Sequence, residues 1–330
     1  MIIKDIKKYI FSKDNNDRKE YQMFVDFIRD YNDDSCYYDE KKGLMVMADG
    51  MGGYAGGELA SKYCVTELAS WFRIRFPEIL TVCGDSWREY AKGELEALFQ
   101  VINHRLVEIG NVKGGSPGST LTAVLLAGEQ FLVIHIGDSR AYLLADTAVQ
   151  ITADHSLVAA EVAKGVLTPE QAKADRRRNI LVQCMGISED LYPDIKFGEI
   201  CPGQGLLLCS DGFWHEMTEP DLLSVLKCSH DPSGEELTGR LSALTNLVIE
   251  RGERDNISSI AVLTCAEAGL SAVPAFFTRK KRTEEPPSFR ILSETVLVHT
   301  DEEPERLQIE ERGEKEPHPE ESFFENEPQK

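Results

Sequence analysis

In LMVMADGMGGYAGGELAS (residues 44–61) an apolar run stops abruptly at Asp49, and five glycines follow within the next eight residues. The same pattern recurs along the chain. HIGDSR puts Asp138 behind a second apolar run, LLLCSDG puts Asp211 behind another, and RGERDNISSIAV puts Asp255 just ahead of one. FIRDYNDDS sets Asp33 and Asp34 after an alternating segment. One aspartate at a strand end is ordinarily a turn or cap residue. Five segments that each deliver a carboxylate to a strand terminus point instead to a site, and rigidly held carboxylates can ligate metal ions.

The glycines fit three readings. A tight strand-to-helix turn uses glycine for positive φ, but needs one or two, not five. Dinucleotide binding is suggested by GMGGYA, which satisfies G-x-G-x-x-A. Against it, Asp49 would face the pyrophosphate, and no second parallel strand ending in an acid follows about 20 residues on. The third reading makes Asp49 a metal ligand, with glycines that let backbone carbonyls and phosphate oxygens approach closely.

The elements that must hold these residues alternate between two periodicities. YQMFVDFI (21–28) and LMVMA (44–48) read as strands, the first alternating and the second buried. GGELASKYCVTELASWF and WREYAKGELEALFQVINHRLVEI carry a helical period. Strands return in quick succession at 121–127, 131–136 and 141–145, then at 205–210; a helix over 235–252 ends at Gly252, and 257–263 closes the series. Strands so close together cannot be joined by parallel crossovers, so the sheets are expected to be largely antiparallel, with helices packed outside.

The chain has 330 residues and a formal charge of −20, which argues against a nucleic-acid binder. Part of the acidity is local: residues 301–330 hold 12 Asp and Glu against 4 Lys and Arg. Three segments are expected: an N-terminal extension (1–19) able to form a short amphipathic helix, a folded domain (20–265), and an acidic, proline-bearing, largely disordered tail (266–330) with one strand-like island at 290–300. The eight cysteines show no C-x-x-C pair, as in a reducing compartment. With no signal-peptide h-region and no run long enough to span a bilayer, the expectation is a soluble, cytoplasmic monomer that does not engage membranes.

Six segments, in order over about residues 21–264, resemble the PP2C-type (PPM) metal-dependent protein Ser/Thr phosphatases of bacterial type. They are RDYNDD, ADGMGG with Gly57 and Glu58, GSTLTAVLL, IGDSRAYLL, CSDGFWHEM and RDNISSIAV. Residues 151–186 resemble the flap and following helix of bacterial members. The resemblance implies an α+β fold, a four-layer α-β-β-α sandwich of two antiparallel sheets flanked by helices, and two Mn²⁺ or Mg²⁺ ions. It implies that Asp49 bridges the ions, that Asp211 and Asp255 complete the first, and that the Gly50 carbonyl serves the second. Asp34 is expected to hold a metal-bound water, Asp33 to add a ligand, and Asp138 with Asp211 to bind a third, weaker ion present in some members. Such ligands are hard oxygen donors, suited to Mg²⁺ or Mn²⁺ rather than zinc.

In this family's chemistry, water activated between two ions attacks phosphorus in line, without a covalent phosphoenzyme. Arg29 is then the catalytic clamp on the substrate phosphate, as Asp49 is the catalytic carboxylate. This sequence departs from the pattern at two points: Met51 and Tyr54 stand where relatives have histidine, so the leaving-group acid is open. His155 reads mainly as structural, and DRRRN (175–179) as either a substrate contact or a solvated helix end. The implied partners are phosphorylated proteins and an opposing Ser/Thr kinase. The rival function is a catalytically weak relative that binds phosphoproteins, against which the retention of Asp49, Asp211 and Asp255 speaks.

Overall fold

The computed structural model describes residues 9–10, 22–23, 33–39, 42–52, 56–113, 115–188, 190–226, 234–264 and 289–294. Two short strands, β1 (Tyr9–Ile10) and β2 (Gln22–Met23), precede β3 (Asp34–Asp39) and β4 (Leu44–Met51). Helices α1 (Gly56–Cys83) and α2 (Trp87–Lys113) follow. Next come β5 (Gly118–Ser119), β6 (Leu121–Ala127), β7 (Gln130–Ile136), β8 (Arg140–Leu144) and β9 (Ala148–Gln150). Short helices α3 (Leu157–Ala163) and α4 (Pro169–Ala174) lead to β10 (Asp194–Glu199) and β11 (Gly205–Cys209). Helices α5 (Asp211–Trp214), α6 (Glu219–Leu223) and α7 (Gly234–Glu250), then β12 (Ser259–Thr264) and β13 (Phe289–Glu294), complete the described elements.

The strands form two sheets. One has the order β10-β7-β6-β4-β3, with β5 beside β4; the other runs β1-β2-β13-β12-β11-β8-β9. Every described pairing is antiparallel except the bridge of β13 to β2, where Ser293 lies opposite Met23. Three apolar layers hold the stack together. Leu44, Val46, Leu121, Ile134 and Ile136 face Phe72, Phe76, Phe99 and Leu106 of α1 and α2. Met45, Met47, Val124 and Val133 of the first sheet meet Leu206, Leu208, Ile260 and Val262 of the second. Leu207, Cys209, Ala261 and Leu263 pack on Leu241, Leu244 and Val248 of α7. Successive strand residues point to opposite faces, so β4, β6, β11 and β12 are apolar on both sides because both sides are covered. This is the expected α-β-β-α sandwich.

Several expectations shift in detail. The helix read from GGELASKYCVTELASWF continues through Pro77 to Cys83, because Phe76 and Ile79 stay on its buried face. Tyr9–Ile10 is strand, not helix, and of the 21–28 segment only Gln22–Met23 falls within the described residues. In the tail, Phe289–Glu294 pairs along β12 with Ser259 opposite Glu294, close to the strand-like island at 290–300. The rest of 266–330 lies outside the described residues.

Phe99 is fully buried between α2 and the first sheet. Phe99→Ala is expected to cost about 3–5 kcal/mol in urea unfolding, from lost burial and the cavity left behind. A cost under about 1 kcal/mol would mean that this layer is not close-packed.

Candidate metal centre

The acidic strand ends meet at one end of the sandwich. Asp34 opens β3 and stands directly opposite Asp49 near the end of β4. Asp34 therefore begins a strand rather than trailing one, which a reading of polar RDYNDDS could not reveal. Asp138 sits in the turn where the chain leaves β7 in the first sheet for β8 in the second. Asp211 opens α5 directly behind β11, and Asp255 precedes β12, whose Ser259 lies opposite Cys209 of β11. Asp34 and Asp138 are buried, while Asp33, Asp49, Asp211 and Asp255 are partly exposed, so the cluster is open to solvent on one side.

A network of hydroxyls fixes this end. The Asp49 N–H donates to Thr120 Oγ1 at 2.8 Å, and the Thr120 N–H donates to the Asp49 carbonyl at 2.8 Å. Ser119 Oγ donates to the same carbonyl at 3.0 Å, and Thr120 Oγ1 lies 2.9 Å from Ser139 Oγ beside Asp138. Ser258 Oγ donates to Asp34 Oδ2 at 2.6 Å, and the Ser258 N–H donates to Ser210 Oγ at 3.0 Å, next to Asp211. The Asp33 N–H donates to Asn256 Oδ1 at 3.2 Å. Serines and threonines between the acids thus tie the two sheets together where the carboxylates emerge.

Glycine does two separate things here. A Cβ on Gly50 would stand 2.2 Å from the Gly57 carbonyl oxygen and 2.6 Å from that of Asp33. One on Gly57 would stand 2.8 Å from the Gly50 carbonyl carbon. The start of α1 therefore rests on the end of β4 with no room for side chains. Gly52, at φ +125°, supplies a backbone conformation that other residues rarely adopt.

The electrostatics are those of carboxylates gathered together, with Arg140 partly offsetting the charge at Asp138. Burial raises the Asp34 carboxyl to about 7; the Ser258 hydroxyl opposes this and the charges of Asp211 and Asp255 add to it. Asp211 rises to about 6 through burial and then the neighbouring Asp255. Asp49 is pushed well up by burial and then by Asp34, Asp211, Asp138 and Asp255, and Asp138 by burial and then Asp211. Among the described residues no three His, Cys, Asp or Glu side chains are grouped closely enough to hold a metal ion together. The donor set nonetheless suits a hard divalent ion, and Asp211 Oδ1 is buried with no hydrogen-bond partner among the described residues.

Arg29 lies outside the described residues. Asp34, Asp49, Asp138, Asp211 and Asp255 converge, and the backbone of Asp33 lies beside them, its carbonyl accepting the Gly50 N–H at 3.1 Å. His155, read mainly as structural, accepts the Gly137 N–H at Nδ1 (3.2 Å), and its backbone N–H donates to the Gly137 carbonyl at 2.7 Å. In DRRRN, Arg177 is held by Asp175 and Glu161, and Arg178 donates to the Lys173 carbonyl. Sequence reasoning passed over His215, whose Nδ1 is 4.0 Å from Asp211 Oδ2 and 3.9 Å from Glu253 Oε2. Its position four residues after Asp211 at a helix start was the available signal.

The fold is an α-β-β-α sandwich with aspartates gathered at one end. The chain belongs to the protein phosphatase 2C family, whose profile matches residues 29–248. A Streptococcus pyogenes protein described as protein phosphatase 2C-type is 34% identical over 233 residues, covering 67% of this chain and 86% of that one. The serine/threonine protein phosphatase PstP of Mycobacterium tuberculosis is 31% identical over 237 residues, covering 71% of this chain and 42% of the longer relative. The crystal structure of the PstP catalytic domain in complex with two manganese ions superposes with a TM-score of 0.58 at 30% identity, covering 72% of this chain and 93% of that one.

Because the folded-state values of Asp34 and Asp211 lie above 3.8, the folded chain binds more protons than the unfolded chain between about pH 4 and 7. These two groups therefore favour folding at the acid end of that window, and this contribution is lost as pH rises through it. With chelator present, Asp34→Asn is expected to gain Tm relative to the native chain as pH increases from 5 to about 7.5. Scanning fluorimetry that finds a Tm difference constant with pH would contradict the raised carboxyl.

Proposed function

We propose that the aspartate end of the sandwich holds two divalent cations, Mn²⁺ or Mg²⁺, and that Arg29 binds the phosphate to be removed. The chain is a protein serine/threonine phosphatase that hydrolyses phosphoserine and phosphothreonine in proteins. The observation that carries the metal-site reading is the meeting of Asp34, Asp49, Asp138, Asp211 and Asp255 at one solvent-open end of the sandwich.

The cations, when bound, supply an acidified water near neutral pH and positive charge against the phosphoryl oxygens. Asp49 would serve both ions, Asp211 and Asp255 would help hold one, and Asp33 and the Gly50 carbonyl would help hold the other. Asp34 acts through water, its Oδ2 kept in place by Ser258. Asp138 and Asp211 are read as the pair for a third, weaker ion. A guanidinium at Arg29 can engage two phosphate oxygens at once, which suits it to orient the ester for in-line attack. With Met51 and Tyr54 replacing the histidines of relatives, solvent water protonates the leaving group, and esters with poor leaving groups turn over slowly.

The same reading takes an opposing Ser/Thr kinase as functional partner and a cytoplasmic monomer as working form. Cys36, Cys64, Cys83, Cys184, Cys201 and Cys209 are free thiols, as a reducing compartment would keep them. No helix among the described residues is long and apolar enough to cross a membrane. The domain is proposed to occupy residues 20–265 with β13 added to its second sheet, and the acidic tail to be a solubilising segment.

Asp49→Asn and Asp211→Asn, checked for folding by circular dichroism, are expected to lose at least about 10³-fold of Mn²⁺-dependent p-nitrophenyl phosphate hydrolysis. Full turnover in excess chelator, or in either variant, would exclude the proposed site.

A further inference from the structure

Asp138 and Asp211 flank the paired ends of β8 and β11, where Arg140 lies opposite Cys209, and their side chains need orienting beyond that ladder. Trp214 follows Asp211 by three residues in α5, and its indole Nε1–H donates to the Asp138 carbonyl at 2.9 Å. That bond joins the backbone carrying one acid to the helical turn carrying the other. The indole is itself held. The Arg140 guanidinium lies over its face, with Cζ 3.3 Å from the ring centroid. Arg140 Nε and Nη2 donate to Asp154 Oδ1 and Oδ2 at 2.9 and 2.7 Å, and Nη1 donates to Tyr142 Oη at 3.0 Å.

Arg140 is thus engaged by both carboxylate oxygens of Asp154, by the tyrosine and by the π face, an arrangement that fixes a planar fork in orientation as well as position. Asp154 is followed by His155, which bonds Gly137 in both directions. The turn bearing Asp138 is therefore gripped from the Trp214 side and from the His155 side. A half-buried indole N–H requires a partner, and here the partner is the acid's own carbonyl.

We infer that Trp214, backed by Arg140, is a positioning residue that sets the spacing of Asp138 and Asp211 and so the affinity of the cation those two carboxylates share. The inference rests on the metal-binding reading above. Groups that orient ligands from behind typically change metal affinity by about 10–100-fold when removed. Trp214→Phe keeps a ring for Arg140 to cover but removes the N–H along with part of the indole surface; Arg140→Lys keeps the charge and removes the fork.

The test is Mn²⁺ binding to the full chain by equilibrium dialysis, for the native protein, Trp214→Phe, Arg140→Lys and the remote core variant Phe99→Ala. The expected result is three Mn²⁺ per native chain, with only the weakest dissociation constant raised by about 10-fold or more in Trp214→Phe and Arg140→Lys. Phe99→Ala should leave all three constants unchanged. Three ions with unchanged constants in Trp214→Phe would overturn the positioning role while sparing the metal reading, and so would an equal weakening of all three. A native chain that binds only two ions would remove the third-cation reading and the inference with it.

Discussion

Like-charge repulsion among buried carboxylates is the constraint around which the molecule is arranged. Asp34, Asp138, Asp211 and Asp255 each raise the affinity of Asp49 for protons. Five acids would move apart unless the backbone held them, since burying unpaired charge opposes folding. The backbone does hold them: β3 and β4 pair at Asp34 and Asp49, β11 and β12 pair at the strand ends beside Asp211 and Asp255, and three apolar layers fix the sheets against each other. The stability of the sandwich is used to keep together groups that repel until cations or protons neutralise them.

Much of this was legible in the sequence. Apolar runs ending in Asp49, Asp138 and Asp211 survive as β4, β7 and β11, because a strand buried on both faces must read as a continuous apolar run and a polar residue marks its end. Short spacings between strands forced antiparallel sheets, and that too holds. The glycine-rich stretch after Asp49 has its explanation in the mutual contact of Gly50 and Gly57, which seats α1 on the end of β4. Neither a simple turn nor a nucleotide cradle is required.

Other features could not be read because they depend on pairing across the fold. DSCYYD shows little apolar periodicity, yet it is strand β3, since β4 supplies its hydrogen-bond partners. The helical segment read from GGELASKYCVTELASWF ends at Phe72, but burial of Phe76 and Ile79 carries α1 on past Pro77. The bonds from Thr120 to Asp49 and from Ser258 to Asp34 join residues 71 and 224 positions apart. Serine and threonine are too common in turns for their presence there to announce such roles. Trp214 and Arg140 likewise gain meaning only once β8 and α5 stand side by side. Sequence patterns locate the ligands, and tertiary structure supplies what orients them.

The central claim is that Asp49 and its neighbours gather two divalent cations close enough to act on one water. Low-temperature electron paramagnetic resonance of the Mn²⁺-loaded chain measures this directly, because ions about 3.5–4 Å apart couple magnetically. A spin-coupled pair signal that disappears in Asp49→Asn is the result this account predicts. Uncoupled spectra of isolated Mn²⁺ ions at every loading, unaltered by Asp49→Asn, would contradict it.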